Sequence, residues 1–252
     1  MITVEAIPTL RDNYVWALHD GPTAVLVDPG ESAPILTWLA ERRLTLGAIL
    51  VTHHHADHVG GIAGLLAHHT VPVFGPTRGA VAAQPVHDGQ VLALPGLEGS
   101  VTVMDTPGHT LDHVCYFGLG HLFCGDTLFS CGCGRLFEGS PEDMHASLTR
   151  IAGLPGDTRV CCAHEYTLAN IAFAQAVEPD NPALERRRVE ALALRKAGRP
   201  TLPVTLAEER TCNPFLRCEI DTVCAAAAHH CGAPVAAGAA TFAVVRAWKD
   251  EQ

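Results

Sequence analysis

The chain has 252 residues, 48% of them hydrophobic, and a formal net charge of −10. This length accommodates one large domain, or a main domain with a smaller appendage, and the apolar share is sufficient for a sizeable core. The acidic balance excludes a general nucleic-acid binder, which would show a basic patch. No apolar stretch of the sequence approaches the length of a membrane span, so we expect no membrane contact.

Short apolar runs alternate with turns in the first two thirds of the chain, which predicts an α/β architecture. Residues 24–27 are typical of a strand that ends at the turn Asp28-Pro29-Gly30. Further strands are predicted at residues 48–51, 71–75, 101–104, 114–117, 122–124 and 159–163. Helices are predicted at residues 32–43, 62–69 and 144–153.

The pattern changes after Tyr166, where helical periodicity replaces the short strands. Helices are predicted at residues 168–177, 182–197, 221–230 and 239–248. We therefore place a domain boundary near residues 165–175 and divide the chain into domains 1–168 and 169–252. Arg186, Arg187 and Arg188 are interpreted as the solvated face of the second of these helices.

A dense group of metal-ligand side chains follows the strand predicted at residues 48–51. The run Thr52–Gly61 contains four histidines and one aspartate within six consecutive positions. His53 and His55 are two residues apart, so in an extended segment they project to the same side. Asp57 and His58 follow where the chain turns into a helix, and they point elsewhere. Imidazole and carboxylate groups at one strand end predict a metal site.

Three isolated residues follow other predicted strands in the same way. His109 comes after residues 101–104, Asp126 after 122–124, and His164 after 159–163. Functional groups gather in the loops at one edge of a sheet flanked by helices, so we expect all the ligands to meet there. We infer one ligand set of His53, His55 and His109, a second of Asp57, His58 and His164, and Asp126 as the bridge.

Two adjacent metal ions favour hydrolysis at a carbonyl or phosphoryl centre. Three protein ligands and a bridge leave a position open for water, whose pKa a bound metal can lower to about 7. Imidazole and carboxylate suit zinc, iron and manganese alike, so the ligands leave the metal open.

The ten cysteines are interpreted as reduced thiols. The N-terminus has neither the basic nor the apolar region of a signal peptide, which predicts a cytoplasmic, reducing location. Core positions are predicted for Cys115, Cys124, Cys161 and Cys162. A metal site at Cys131-Gly132-Cys133 is disfavoured because no second closely spaced pair matches it.

Several segments together resemble one family. The run Thr52–Gly61 is similar to the signature of the metallo-β-lactamase superfamily. Residues 125–129, 132–139, 163–170, 211–217 and 246–250 narrow the resemblance to the glyoxalase II family, along essentially the whole chain.

The resemblance implies an αβ/βα metallo-β-lactamase sandwich in residues 1–168, followed by a helical substrate-binding domain in residues 169–252. It implies hydrolysis of S-D-lactoylglutathione and other 2-hydroxyacylglutathiones to glutathione and the hydroxy acid, the second step of methylglyoxal detoxification. The seven ligand positions carry over, with two divalent metal ions as cofactors. Zinc is the first choice, with iron and manganese as alternatives. Asp57 and Asp126 are expected to be catalytic as well as ligands.

The resemblance also implies that four residues bind the glutathione part of the thioester: Arg135, Tyr166, Arg246 and Lys249. Glutathione carries two carboxylates, and arginine can bind a carboxylate with two parallel hydrogen bonds. Without the motif context, Arg246 and Lys249 would be interpreted as ordinary solvated charges. Phe137 stands where some members have tyrosine. We expect a monomer whose partner is this small molecule, and hypothesise that metal-bound hydroxide attacks the thioester carbonyl.

Other functions stay open at this point. A glutathione persulfide dioxygenase with one iron resembles the chain around the first motif. Residues 165–170 and 213–217 disfavour this function, because these segments resemble the glyoxalase II family. A β-lactamase is disfavoured by the missing signal peptide, and a nuclease by the acidic charge. A non-enzymatic, thiol-rich redox sensor would depend on the ten cysteines.

Overall fold

The computed structural model of the protein describes residues 2–77 and 83–252. Its contacts divide the chain into two compact units. Unit 1 contains the described residues up to Asp105, together with Asp112–Gly125 and Cys161–Glu165. Unit 2 contains Thr106–Leu111, Asp126–Val160 and Tyr166–Gln252.

The first sheet of unit 1 contains six strands in sequence order: β1 (Thr3–Thr9), β2 (Asn13–His19), β3 (Thr23–Val27), β4 (Thr45–Leu50), β5 (Val73–Gly75) and β6 (Gln84–Pro85). The strands β1, β2 and β3 pair antiparallel, and β3 to β6 pair parallel. A parallel pair needs a crossover, which helix α1 (Ala33–Arg42) supplies between β3 and β4. Two short helices, α2 (Ala56–Val59) and α3 (Ile62–Leu66), follow β4.

Burial of one helix face explains how α1 joins this sheet. Ile35, Trp38 and Leu39 recur at the spacing that places side chains on one face of a helix, and all three are buried in the cluster that includes Leu26 and Ile49. The polar side of α1 is left to solvent. This packing fixes the direction in which β4 runs toward the histidine-rich loop.

The second sheet of unit 1 contains β7 (Val91–Ala93), β8 (Ser100–Asp105), β9 (Val114–Gly118) and β10 (His121–Gly125). Neighbouring strands pair antiparallel along this series. Cys115, Cys124, Cys161 and Cys162 are fully buried, which confirms their prediction as core residues.

Unit 2 consists mainly of helices: α4 (Pro141–Ala152), α5 (Thr167–Val177), α6 (Pro182–Lys196), α7 (Leu206–Cys212), α8 (Asp221–Cys231) and α9 (Ala239–Asp250). Its small strands are β11 (Leu128–Phe129), β12 (Gly132–Cys133) and β14 (Val204–Thr205). The first two pair with each other. Strand β13 (Arg159–Cys162) pairs with β14 through Arg159 and Val160. Capping boxes begin α4 at Ser140 and α7 at Thr205. No helix within residues 2–77 and 83–252 is long and apolar enough to cross a membrane.

The turn between β11 and β12 is held by a buried carboxylate. Glu209 of α7 is fully buried and accepts hydrogen bonds from Ser130 Oγ (2.8 Å), Cys131 N–H (2.8 Å) and Asn213 Nδ2 (3.0 Å). Burial raises the pKa of Glu209, while these donors act in the opposite direction. The hairpin is thereby tied to α7 through side-chain contacts between residues distant in sequence.

The placement of Arg187 on a solvated face is wrong. Only 5% of this residue is exposed, and its Nη2 donates to Ser130 Oγ (3.2 Å) and to the Thr201 carbonyl oxygen (2.8 Å). The nearby charge of Glu209 compensates for burial of the guanidinium, which explains why a charged side chain is tolerated here.

We predict that Glu209→Gln lowers the free energy of unfolding by about 3 kcal/mol, because the amide NH₂ would face groups that are themselves donors and Arg187 would lose its buried counter-charge. Urea denaturation followed by circular dichroism measures the change. Glu219→Gln is the matched control, since Glu219 is exposed, and we expect a change within about 0.5 kcal/mol. Equal stabilities of the two variants would contradict the role given to Glu209.

Candidate metal centre and substrate pocket

The histidine-rich loop of unit 1 follows β4 and leads into α2. His53 is fully buried and His55 is partly buried, and His53 Nε2 lies 3.1 Å from His55 Nδ1. The two rings meet edge to face, with centroids 4.7 Å apart. The structure therefore brings this pair of predicted ligands together, as their spacing of two residues led us to expect.

The second part of the loop meets the end of β13 within unit 1. Asp57 Oδ2 lies 3.5 Å from His58 Nε2 and 3.4 Å from His164 Nε2. One possible ligand atom from each of these three residues lies within 4.8 Å of the others. Two imidazole nitrogens and one carboxylate oxygen at this separation fit a divalent cation, because each atom can donate a lone pair to it.

A buried carboxylate orients His58. Asp28 Oδ2 lies 3.1 Å from His58 Nδ1 and also accepts from the Thr52 hydroxyl at 2.7 Å, while Asp28 Oδ1 accepts from the Thr52 N–H at 2.7 Å. The Asp28 backbone has a φ of 54°, a left-handed conformation that is uncommon for residues other than glycine. When His58 Nδ1–H donates to Asp28, its Nε2 lone pair points to the other ligands.

The turn between β1 and β2 supports the other two ligands of this set. Asp12 Oδ1 lies 2.9 Å from His164 Nδ1, and Asn13 Nδ2 donates to Asp57 Oδ2 at 3.0 Å. A backbone bridge also pairs Asn13 with His164. These supporting roles of Asp12, Asn13 and Asp28 were not predicted, although Asp12 precedes β2, Asn13 begins it and Asp28 directly follows β3.

Two further histidines, one within the loop and one directly before β9, lie close to these ligands: His54 and His113. His54 Nδ1 is 3.6 Å from Asp112 Oδ1. His113 is buried and stacks on His53, with ring centroids 4.9 Å apart. The stacking gives His113 a packing role that sequence analysis did not detect.

Unit 2 contains the remaining predicted ligands, His109 and Asp126. Both are buried, and His109 Nε2 lies 3.4 Å from Asp126 Oδ2. His109 Nδ1 lies 2.7 Å from the Arg135 carbonyl oxygen, to which an Nδ1–H can donate, so that Nε2 keeps its lone pair. Gly134 is required in this arrangement, because a Cβ there would lie 1.9 Å from the Asp126 carbonyl oxygen.

These two residues line a cavity of about 340 Å³ within unit 2. The cavity also contains all four predicted substrate-binding residues, and its lining consists of His109, Asp126, Phe129, Cys133, Arg135, Phe137, Tyr166, Asn170, Arg246 and Lys249. Three of these side chains are cationic, in a chain whose net charge is −10. The cavity therefore concentrates positive charge where an anionic ligand could bind.

The hairpin β11–β12 forms one wall of this cavity and is held by Asn170 of α5 and by Asn213, which directly follows α7. Asn170 Nδ2 donates to the Ser130 carbonyl oxygen at 3.0 Å, and Asn213 Nδ2 donates to the Phe129 and Gly132 carbonyl oxygens at 3.1 and 2.9 Å. A Cβ on Gly132 would approach the Asn170 amide to 2.5 Å, so glycine is needed for this close contact.

The cationic residues of the cavity differ in their surroundings. The Arg135 side chain is 59% exposed, whereas that of Arg246 is 6% exposed and donates through Nη1 to the Cys133 carbonyl oxygen at 3.1 Å. Lys249 Nζ lies 4.9 Å from the centre of the Phe173 ring. Burial, assisted by the charge of Arg246, lowers the pKa of Lys249 to about 8.

Aromatic side chains also line the cavity. Tyr166 packs edge to face on Phe129, with ring centroids 5.2 Å apart. Phe137 is 63% exposed, and its ring centroid lies 5.2 Å from that of His109.

Comparison with known proteins identifies close relatives. A model of the metallo-beta-lactamase superfamily matches residues 8–164, and one of the hydroxyacylglutathione hydrolase C-terminus matches residues 165–252. The chain is 50% identical to a hydroxyacylglutathione hydrolase of Cupriavidus taiwanensis, over 99% of both chains.

Solved structures show the same fold. ETHE1 from Myxococcus xanthus is 27% identical with a TM-score of 0.64, covering 85% of this chain and 83% of its own. TTHA1623, solved in a di-iron-bound form, is 28% identical with a TM-score of 0.54, covering 64% of this chain and 91% of its own. These matches confirm the predicted fold class, a metallo-β-lactamase fold with a C-terminal helical region.

We predict that Asp28→Asn weakens metal binding at the Asp57, His58 and His164 set by at least about tenfold, because an amide NH₂ would oppose the donors of Thr52 and His58. Metal content after dialysis against graded chelator, measured by mass spectrometry, tests this. Asp20→Asn is the control, because Asp20 is an exposed turn residue. Identical metal retention in both variants would refute the supporting role of Asp28.

Proposed function

The chain belongs to the hydroxyacylglutathione hydrolase family of the metallo-β-lactamase superfamily, and we propose that it hydrolyses S-D-lactoylglutathione to glutathione and D-lactate. Other 2-hydroxyacylglutathiones belong to the same substrate class, and the reaction is the second step of methylglyoxal detoxification. The observation that carries this proposal is the cavity of unit 2, because cationic side chains line it together with His109 and Asp126.

We propose that the seven predicted ligands hold two divalent metal ions. In this assignment His53, His55 and His109 would hold one ion, Asp57, His58 and His164 would hold the other, and Asp126 would be a ligand shared by the two. The close approach of Asp57, His58 and His164, and the di-iron-bound form of TTHA1623, support it. Zinc is our first choice, with iron or manganese suited to the same ligands. Such ions, when bound, lower the pKa of water and polarise a carbonyl oxygen.

The protein's own residues hold the substrate in this proposal. Arg135, Arg246 and Lys249 supply positive charge for the two carboxylates of glutathione, and Tyr166 supplies a hydroxyl group. Binding at this wall directs the thioester carbonyl toward the part of the cavity lined by His109 and Asp126. Fixing the reacting group in this way reduces the entropic part of the barrier.

The leaving group requires little assistance. A thiol has a pKa near 8.5, so the glutathione thiolate is a stable product near neutral pH. The residues of the cavity are therefore needed for binding and orientation rather than for protonating the sulfur atom.

The relatives disfavour the alternative, a glutathione persulfide dioxygenase with a single iron. The chain is 50% identical to a hydroxyacylglutathione hydrolase over nearly its full length. A second observation is the match of residues 165–252 to the C-terminal model of the hydrolase family.

The proposal includes a cytoplasmic monomer with a catalytic domain over residues 1–168 and a substrate-binding domain over residues 169–252. All ten cysteines are thiols, and Cys131 Sγ lies 3.5 Å from Cys212 Sγ without a bond between them, which fits a reducing compartment. The net charge of −10 opposes self-association. Light scattering that gives the mass of two chains would contradict the monomer.

Steady-state hydrolysis of S-D-lactoylglutathione, followed by loss of thioester absorbance, tests the function. We expect turnover that disappears after metal removal and returns when metal is restored. No turnover by folded, metal-loaded protein, together with oxygen uptake on glutathione persulfide, would replace this function with the dioxygenase.

We predict that KM for S-D-lactoylglutathione rises about tenfold by a pH near 9, because Lys249 loses its charge above its pKa of about 8. Initial rates corrected for spontaneous hydrolysis measure this. The direction follows from the protonated amine being the form that attracts a carboxylate.

Lys249→Arg provides the control for this pH dependence. The guanidinium remains charged over the same range, so the rise of KM above a pH of about 8 is expected to disappear. A rise of KM that is the same in both proteins would show that another group causes it.

A further inference from the structure

We propose that Asp250 is a positioning residue for substrate binding, which aligns Arg135 and Arg246 on the cationic wall of the cavity. This inference rests on the proposed function, because it concerns how the carboxylates of a glutathione thioester are held. Asp250 is the last residue of α9 and is not one of the residues that line the cavity.

One carboxylate oxygen joins the two arginines. Asp250 Oδ1 accepts hydrogen bonds from Arg135 Nε at 3.1 Å and from Arg246 Nη2 at 3.0 Å. Arg246 precedes Asp250 by four residues, so the two side chains lie on the same face of α9. Arg135 lies after β12, more than a hundred residues earlier in the chain. A single acceptor therefore connects two distant segments that both contribute cations to the cavity.

Arg246 provides the rigid side of this arrangement. Its side chain is 6% exposed, its guanidinium lies 5.3 Å from the centre of the Phe215 ring, and its Nη1 donates to the Cys133 carbonyl oxygen. Contacts on both sides fix the Nη2 group that donates to Asp250. The carboxylate is consequently held in one place although 37% of its side chain is exposed.

Arg135 is the residue that needs alignment. Its side chain is 59% exposed, and a long exposed side chain of this kind samples many rotamers. Its backbone carbonyl oxygen is already fixed by His109 Nδ1 at 2.7 Å. The hydrogen bond to Asp250 fixes the other end through Nε, so that the Nη1 and Nη2 edge can face a carboxylate with two parallel donors.

Because Asp250 is negatively charged, a positioning role and simple charge repulsion predict opposite changes in KM when it is replaced. A negative charge beside an anion-binding cavity repels a substrate carboxylate, so simple Coulomb reasoning predicts that its removal lowers KM. Alignment of the arginines predicts the opposite sign, because a disordered Arg135 must be fixed again each time the substrate binds. The sign of the change in KM therefore distinguishes a positioning role for Asp250 from that of a charge that only repels the substrate.

The test compares Asp250→Ala, Asp250→Asn and the control Glu251→Gln, which removes a neighbouring negative charge whose side chain is 67% exposed. We expect Asp250→Ala to raise KM for S-D-lactoylglutathione about tenfold while kcat changes less than about twofold. Asp250→Asn keeps an Oδ1 acceptor and should lie between Asp250→Ala and the wild type. Glu251→Gln should leave KM unchanged or slightly lower.

A thioester without glutathione carboxylates, S-D-lactoyl-N-acetylcysteamine, serves as the second substrate. Its kcat/KM should be the same in all four proteins, because it has no group for the aligned arginines to bind. A loss with Asp250→Ala for both substrates, or an unchanged or lowered KM for S-D-lactoylglutathione, would overturn the positioning role.

Calorimetric titration with S-methylglutathione separates this inference from the proposed function. This thioether is not hydrolysed, so its Kd reports on the carboxylate-binding wall alone. If the wild type binds S-methylglutathione but shows no thioesterase activity, the proposed function is wrong. The role of Asp250 can still be tested in that case, because we expect Asp250→Ala to raise the Kd for S-methylglutathione about tenfold. Failure of the wild type to bind S-methylglutathione would overturn both.

Discussion

The candidate centre of unit 1 depends on the buried carboxylate of Asp28. Both of its oxygens accept hydrogen bonds from Thr52, and one of them also lies against His58 Nδ1. A carboxylate without partners at this depth would be strongly destabilising, so the loop after β4 must adopt the conformation that supplies these donors. The left-handed backbone of Asp28 is tolerated for the same reason. The same hydrogen bonds of Asp28 therefore stabilise the loop at the sheet edge and orient the metal ligand His58.

In unit 2, two carboxylates likewise fix other residues through hydrogen bonds, here the residues that line the cavity. Glu209 is buried among donors of the β11–β12 hairpin and of Asn213, and it thereby fixes the wall of the cavity. Asp250 lies at the surface and joins two arginines of that wall. Geometry at His109 is linked to the same wall, because the carbonyl oxygen of Arg135 contacts the histidine ring. Carboxylates that do not line the cavity therefore determine the positions of the side chains that do.

Much of the fold could be predicted from the sequence because its longer elements have clear periodicity. The helices α1, α4, α5, α6, α8 and α9 and the strands β4, β8, β9, β10 and β13 lie within a few residues of their predicted bounds. The helix predicted at residues 62–69 ends at Leu66. The strands β1 and β2 were not predicted, and six of the seven residues of β2 are buried, so it lacks the alternation of a half-buried strand. The seven-residue α7 and the two-residue strands were missed because so few residues show no period. Arg187 was misplaced because its partners lie far away in the sequence, beyond the reach of helix periodicity.

The candidate ligands could be predicted from the sequence because closely spaced histidines form a recognisable pattern. The residues that hydrogen-bond to these ligands form no such pattern. Asp12, Asn13 and Asp28 look like ordinary turn residues, and their roles arise only when β1, β2, β3 and the end of β13 come together. Metal titration tests the central claim most directly. S-D-lactoylglutathione hydrolysis should rise as zinc is added to metal-free protein and saturate at two ions per chain. Saturation at one ion, or no turnover with two bound, would contradict the account.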